Sequence, residues 1–90
     1  MVLKIVRKYI VFRGWVQGVG FRYRARYAAE AVGATGWVRN EFDGSVSMEI
    51  QGTEDQIEKV VQLIEQGRYV RIESLDVIEM PVICDDRGFR

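Results

Sequence analysis

Three glycines within seven residues, Gly14, Gly18 and Gly20, separate a strand-like run from a helix-like run. Glycine lets the backbone turn where a Cβ atom would clash, so main-chain N–H groups in such a stretch can converge on one point. The first turn of the following helix contains no Ser, Thr, Asp or Asn to cap its free N–H groups. Because a helix start carries about half a positive charge, we expect an anion to take the place of the cap.

The predicted anion site is a phosphate cradle. Arg22, in the first helical turn, adds a planar fork of N–H donors that suits phosphate. The residues expected to bind the phosphate are Gln17, Gly18, Val19, Gly20, Phe21 and Arg22, through their main-chain N–H groups and the Arg22 side chain. A tight connection between two elements, with Arg22 as a solvated surface charge, explains the same residues without any ligand. The stretch matches neither a P-loop nor a dinucleotide-binding fingerprint.

Hydrophobic periodicity predicts four strands and two helices. The predicted strands are residues 4–13, 35–40, 45–51 and 70–80. One helix begins at Phe21 and stops at Gly33, and the other begins at a capping box formed by Thr53 and Gln56 and ends near Gly67. The order strand–helix–strand–strand–helix–strand, in a single domain over residues 1–90, predicts a ferredoxin-like α+β fold. Two helices then cover one face of an antiparallel sheet with strand order 4-1-3-2.

Two finer expectations concern the last part of the chain. On the fourth strand, Leu75 and Val77, together with Ile72, are expected to point inward. Phe89 and Arg90 are candidates for the start of a short fifth strand.

The predicted topology brings a second polar residue to the glycine stretch. Strands one and two run in the same direction because a helix returns the chain between them. Both strands therefore end at the same edge of the sheet, where the glycine stretch follows strand one and Asn40 ends strand two. Asn40 also has a simpler interpretation as an ordinary residue before a hairpin turn.

Charge and composition restrict the chemistry. Residues 1–40 carry eight basic side chains and one acidic side chain, a net charge of +7, and this positive half holds both candidate segments. A positive field attracts small anions, although a solvated bipolar surface explains the same distribution. The chain contains no histidine, the commonest general base and metal ligand, and no metal site is predicted. Any catalysis must work by positioning and electrostatics.

The residue types favour an acyl phosphate as substrate. The Asn40 amide cannot act as a base, but it can hold a water in line for attack on phosphorus. No acid or metal is visible to assist a poor leaving group. A carboxylate leaves without protonation, because its conjugate acid has a pKa of about 4.

The residues from Gly14 to Arg22, the segment from Gly36 to Asn40 and the segment from Asp43 to Val46 together resemble the acylphosphatase family. The resemblance covers most of the chain and implies a free-standing hydrolase without a cofactor. It implies that Arg22 binds the phosphoryl group and that Asn40 orients the attacking water. The implied substrates are carboxyl–phosphate anhydrides such as carbamoyl phosphate and acetyl phosphate.

Two other functions remain open at this point. One is a non-catalytic acylphosphatase-like module that binds carbamoyl phosphate or a partner, and the other is a ferredoxin-like interaction or nucleic-acid domain. The aromatic signature of an RNA-binding sheet is missing, so no nucleic-acid partner is expected. One cysteine and no membrane-length apolar run suggest a cytoplasmic protein without membrane contact. We further expect a monomer with acyl phosphate, phosphate or sulfate as ligands.

Overall fold

A computed structural model describes residues 3–90 of the chain. The elements in chain order are β1 (Ile5–Trp15), α1 (Phe21–Val32), β2 (Thr35–Asn40), β3 (Val46–Thr53), α2 (Glu54–Glu65) and β4 (Arg71–Met80). The sheet has the order β2-β3-β1-β4, and each neighbouring pair is antiparallel. The predicted ferredoxin-like fold and its strand order are therefore confirmed.

The core lies between the sheet and the two helices. Ile10 and Phe12 alternate along β1 with residues that point to the opposite face, and both are almost completely buried. On β3 the same alternation buries Val46, Met48 and Ile50. The buried residues of α1 are Phe21, Ala25, Ala28 and Ala29. The small alanine side chains let the helix approach the sheet closely. The ring of Phe12 meets that of Phe21 edge-on at 4.9 Å, so the start of α1 is packed directly on β1.

The second helix begins with the predicted capping box. The Thr53 hydroxyl accepts a hydrogen bond from the Gln56 main-chain N–H at 3.1 Å, and the Gln56 side-chain oxygen accepts one from the Thr53 N–H at 2.7 Å. Two free N–H groups of the helix start are thereby satisfied. Neither helix within residues 3–90 is long and apolar enough to span a membrane.

The expectation that β4 is buried on one face is only partly right. Leu75 and Val77 pair with Phe12 and Ile10 of β1, so they lie on the helix-covered face as expected. Their side chains nevertheless remain 39% and 46% exposed, while Ile72 is half-buried against the core. The reason is that β4 is an edge strand that α2 covers only partly. The alternating pattern predicted on which face of the sheet these side chains lie, but it did not predict how much of that face α2 covers.

The candidate fifth strand is present as a single parallel bridge. Phe89 lies beside Gly36 of β2 and is buried. The Gly36 N–H donates to the Gly88 carbonyl at 3.0 Å, and the Val38 N–H donates to the Arg90 carbonyl at 2.8 Å. The outer edge of β2 is therefore paired here rather than open.

Candidate functional site

The loop between β1 and α1 is shorter than the glycine-rich stretch suggested. Gly14 and Trp15 still belong to β1, because they pair with β4 beyond a register shift after Arg13. A Cβ atom at Gly14 would lie 2.3 Å from the Arg71 carbonyl oxygen, so this close approach of two strands requires glycine. Phe21 and Arg22 already belong to α1. The loop proper is residues 16–20, with Val16 buried in the core.

The start of α1 has the uncapped geometry that the sequence predicts. Gly20 occupies the N-cap position in a left-handed conformation, with φ of 80° and ψ of 15°, and makes no side-chain cap. The first turn contains no acidic side chain. The main-chain N–H groups at this end of the helix face an opening with no side-chain acceptor among residues 3–90, and the helix dipole favours negative charge there.

A cavity of about 190 Å³ lies at this helix start. Its lining residues are Val16, Gly18, Gly20, Phe21, Arg22, Tyr23 and Asn40. Four of the six residues expected to bind phosphate line the cavity, together with Asn40. The other two, Gln17 and Val19, do not line it: Val19 packs against the core, and the Gln17 side chain points to the β2–β3 turn.

Topology brings Asn40 to the loop. β1 and β2 are both antiparallel to β3, so they run in the same direction and end at the same edge of the sheet. Asn40 is the last residue of β2, pairs with Val46 and is exposed. Its amide is therefore accessible from the cavity side, one residue before the turn that leads into β3.

Ion pairs remove part of the positive charge of the N-terminal half. Arg7 pairs with Glu49 at 2.5 Å, Lys8 with Glu54 at 2.8 Å and Arg13 with Asp76 at 2.5 Å, all across the fold. Arg39 also pairs with Glu41, at 2.9 Å. No ion pair among residues 3–90 involves Arg22. The charge of Arg22, which lines the cavity, is therefore not offset by an ion pair within the described part of the chain.

The carboxylate of Glu41, the residue after Asn40, is ionised at neutral pH and lies beside a cation. A hydrogen bond from the Ser47 hydroxyl, and then one from Arg39, hold the pKa of Glu41 below its usual range. The Arg39 guanidinium, 2.9 Å from the Glu41 carboxylate, partly balances this charge. Repulsion of an incoming anion by Glu41 is reduced accordingly.

The sequence analysis missed the place of one side chain near the site, Tyr23, and the contact made by another, Gln17. Tyr23 lines the cavity beside Arg22, although its place on the exposed face of α1 gave no signal. The Gln17 side chain makes two hydrogen bonds to main-chain carbonyls 24 and 28 residues away. No local pattern predicts such a contact.

Known proteins agree with this architecture. A family model described as acylphosphatase matches residues 8–90. An acylphosphatase from Bifidobacterium longum (strain NCC 2705) is 45% identical over 80 residues, which span 88% of this chain and 82% of that relative. The crystal structure of acylphosphatase from Bacillus subtilis is similar, with a TM-score of 0.84 and 29% identity, over 93% of this chain and 94% of that chain.

A larger protein contains a similar part. The structure of full-length HypF matches 99% of this chain with a TM-score of 0.84 and 28% identity, but the match covers only 12% of that chain. The family model spans nearly the whole chain described here, and the curated relative agrees with it. The chain therefore belongs to the acylphosphatase family.

Proposed function

We propose that this chain hydrolyses acyl phosphates in the cavity between the β1–α1 loop and the end of β2. As an acylphosphatase it is a hydrolase that cleaves the bond between a carboxyl group and a phosphate. The observation that carries the proposed site is a single cavity lined both by the Arg22 segment and by Asn40. The Arg22 segment can bind a phosphoryl group, and the Asn40 amide can bind a water molecule.

The phosphoryl group binds at the start of α1. Its oxygens accept hydrogen bonds from main-chain N–H groups of the loop and the first helical turn, where the helix dipole favours an anion. Arg22 supplies a charged fork that is exposed and has no ion-pair partner among residues 3–90. The HypF structure noted above is described as phosphate- and nucleotide-bound, and we extend only the phosphate ligand to this chain.

Asn40 holds the attacking water. Its side-chain oxygen accepts a hydrogen bond from the water, and its amide N–H₂ group donates to the water or to a phosphoryl oxygen. The water oxygen forms a bond to phosphorus while the bond from phosphorus to the carboxyl oxygen breaks. The electron pair of that bond leaves on the carboxylate, and the proton of the water passes to the phosphate product. No acid is needed, because the conjugate acid of the leaving carboxylate has a pKa of only about 4.

Hydrolysis of benzoyl phosphate by three variants tests the assignment. Arg22→Ala is expected to lower kcat/KM by about 10³-fold and to weaken inhibition by phosphate by about tenfold or more. Asn40→Ala is expected to lower kcat by about 10²-fold or more, with phosphate inhibition almost unchanged. Arg26→Ala is the matched control, since it removes an exposed arginine one turn further along α1, outside the cavity.

The outcomes separate the candidate functions. Parent-like rates in both Arg22→Ala and Asn40→Ala would show that the site is assigned to the wrong residues. A parent protein that binds phosphate without hydrolysing benzoyl phosphate would instead be the non-catalytic binding module. Hydrolysis in water enriched in the heavy oxygen isotope adds a second check, because attack at phosphorus puts the label in phosphate and attack at the carbonyl puts it in the carboxylate.

We also propose that the protein acts as a cytoplasmic monomer without a nucleic-acid partner. The proposed chemistry uses Arg22 and Asn40 of one chain and assigns no step to a second copy. Light scattering during turnover measures the mass of the active species. Activity that appears only in a dimeric fraction would contradict the monomer.

A further inference from the structure

The side chain of Gln17 joins the β1–α1 loop to the β2–β3 turn. Its amide nitrogen Nε2 donates to the main-chain carbonyl of Glu41 at 2.7 Å and to that of Ser45 at 2.9 Å. The two hydrogens of this amide group therefore bind two carbonyl groups of the same turn. Gln17 is half-buried, so water competes only partly for these bonds.

The turn that receives Gln17 is tightly closed. The Glu41 N–H donates to the Ser45 carbonyl at 2.9 Å, which bridges the two ends of the turn. The Asp43 carboxylate accepts from the Ser45 N–H at 2.9 Å and from the Ser45 hydroxyl at 2.6 Å. Glu41 is fixed further by Arg39 and by the Ser47 hydroxyl. The turn is therefore a firm anchor, and it begins directly after Asn40.

The loop, in contrast, has few fixed points. Val16 is buried and Val19 packs against the core, whereas Gly18 and Gly20 are exposed and have no side chain that could hold the backbone around them. Within residues 3–90, Gln17 makes the only side-chain hydrogen bonds that leave residues 16–20. Among side-chain hydrogen bonds, the connection from the loop to the end of β2 thus depends on one amide group.

We propose that Gln17 is a positioning residue that fixes the loop, and with it the bound phosphoryl group, relative to Asn40. This inference rests on the function proposed above. The Gln17 side chain does not line the cavity, and we assign it no contact with the substrate. It acts by holding phosphorus at the distance from Asn40 at which the water attacks in line, and a misplacement of about 1 Å can cost about 10²-fold in rate.

We expect the fold to tolerate loss of this contact. The Ser45 carbonyl keeps its hydrogen bond from the Glu41 N–H, and the Glu41 carbonyl keeps one from the Gly44 N–H at 3.3 Å. Neither acceptor is left without a partner when the amide is removed. Gln17→Met, which is similar in length but has no donor, therefore isolates the contact.

Steady-state kinetics with benzoyl phosphate test the proposal. Gln17→Met is expected to lower kcat by about 10-fold to 10²-fold, with KM and phosphate inhibition changed much less, because the cradle itself is intact. Gln17→Lys restores a donor group at the same place and is expected to recover most of kcat. If Gln17→Met does not fold, as judged by circular dichroism, Gln17→Glu tests the same contact, since its carboxylate cannot donate to the two carbonyls.

A double-mutant cycle with Asn40→Ala distinguishes positioning from simple stabilisation. If Gln17 acts through Asn40, Gln17→Met has almost no further effect on kcat in the Asn40→Ala background. Additive losses, or an unchanged kcat in the single variant, would overturn the proposal. Loss of kcat in Asn40→Ala with a normal Gln17 variant refutes this inference alone, whereas a normal Asn40→Ala refutes the role proposed above for Asn40.

Discussion

At Gly20 the requirement for glycine is conformational. Its φ of 80° is left-handed, yet an added Cβ atom would meet no atom within 4 Å. Alanine there costs about 1 kcal/mol of stability, because L residues avoid this region. Relief of that strain would rotate the N–H groups that we assign to phosphate, so the cost falls on binding as well as on folding.

We predict that Gly20→Ala lowers the free energy of unfolding by about 1 kcal/mol and weakens inhibition by phosphate several-fold. Gly88→Ala is the matched control, since Gly88 also has a left-handed φ, 72°, and open space around it, but lies outside the cavity. The control should lose similar stability and keep normal inhibition. Equal inhibition constants for phosphate in both variants would show that phosphate binding does not depend on the left-handed conformation of Gly20.

Arg7 shows what residue-level sequence analysis misses. The periodic pattern places Arg7 on the face of β1 away from the helices, but it does not show that the side chain is buried, with 2% of its surface exposed. Its partners Glu49 and Asp86 lie 42 and 79 residues away, at 2.5 and 2.8 Å. Only the folded sheet and the last ten residues bring these charges together.

Arg7→Met is predicted to lower the free energy of unfolding by about 3 kcal/mol, because it leaves two partly buried carboxylates without their cation. Urea denaturation at neutral pH measures the loss. Arg13→Met is the comparison, since the Arg13–Asp76 pair is exposed and contributes less than about 1 kcal/mol. Equal losses in the two variants would show that burial of Arg7 does not strengthen its ion pairs.

At the scale of elements, Gln56 connects the two helices. Its side-chain oxygen completes the cap of α2, while its amide donates to the Val32 carbonyl at the end of α1 at 2.7 Å. The capping box was predictable from Thr53 and Gln56 three residues apart. The contact with Val32 was not, because it depends on how α1 and α2 pack.

We expect Gln56→Ala to destabilise the fold by about 2 kcal/mol, more than the loss of about 1 kcal/mol expected for Thr53→Ala. The difference arises from the Val32 carbonyl, which loses its side-chain partner only in the first variant. Chemical denaturation measures both losses of stability. They can be compared directly if the unfolding free energy depends equally steeply on denaturant concentration in both variants. Equal losses would mean that the contact between the helices is not stabilising.

The elements themselves followed from periodicity, but their ends and exposure did not. β1 runs to Trp15, beyond the predicted end at residue 13, because Gly14 and Trp15 pair with β4 across a bulge. Leu75 and Val77 point to the predicted face but stay partly exposed at the sheet edge. Both features depend on a neighbouring element, so local patterns do not contain them.

At the scale of the whole molecule, residues 81–90 cross the sheet face opposite the helices. Gln51 of β3 exchanges hydrogen bonds with the main chain of Ile83 at 2.8 and 2.9 Å, and Asp86 pairs with Arg7 of β1. Phe89 then reaches β2. The segment therefore links β1, β3 and β2, and the ion pair between Asp86 and Arg7 is part of its attachment.

Acid is predicted to loosen this attachment. The hydrogen bond from Arg7 holds the pKa of Asp86 below its usual range, so its stabilisation is complete above about pH 4. It is lost as the pH falls through the lower pKa of the folded state. The difference in melting temperature between the parent and Asp86→Asn should therefore shrink as the pH is lowered from neutral toward 2.

Asp85→Asn is the control for this titration, because Asp85 is exposed and has no ion pair among residues 3–90. Its melting temperature should follow that of the parent at every pH. A parent–Asp86→Asn difference that stays constant across the acid range would contradict the charge-dependent attachment.

The meeting of the glycine loop and Asn40 was predictable because the handedness of the β1–α1–β2 crossover leaves little freedom. The family and the fold are confirmed. The direction of the Gln17 side chain could not be predicted, since glutamine in a loop has no preferred partner. The roles of Arg22 and Asn40 remain predictions.

A crystal structure of the protein soaked in phosphate tests those roles most directly. We expect the anion at the start of α1, in hydrogen-bond contact with the Arg22 guanidinium and the main-chain N–H groups of the first turn, with an ordered water between it and the Asn40 amide. An empty cavity at saturating phosphate, or a bound phosphate with Asn40 turned away from it, would contradict the account.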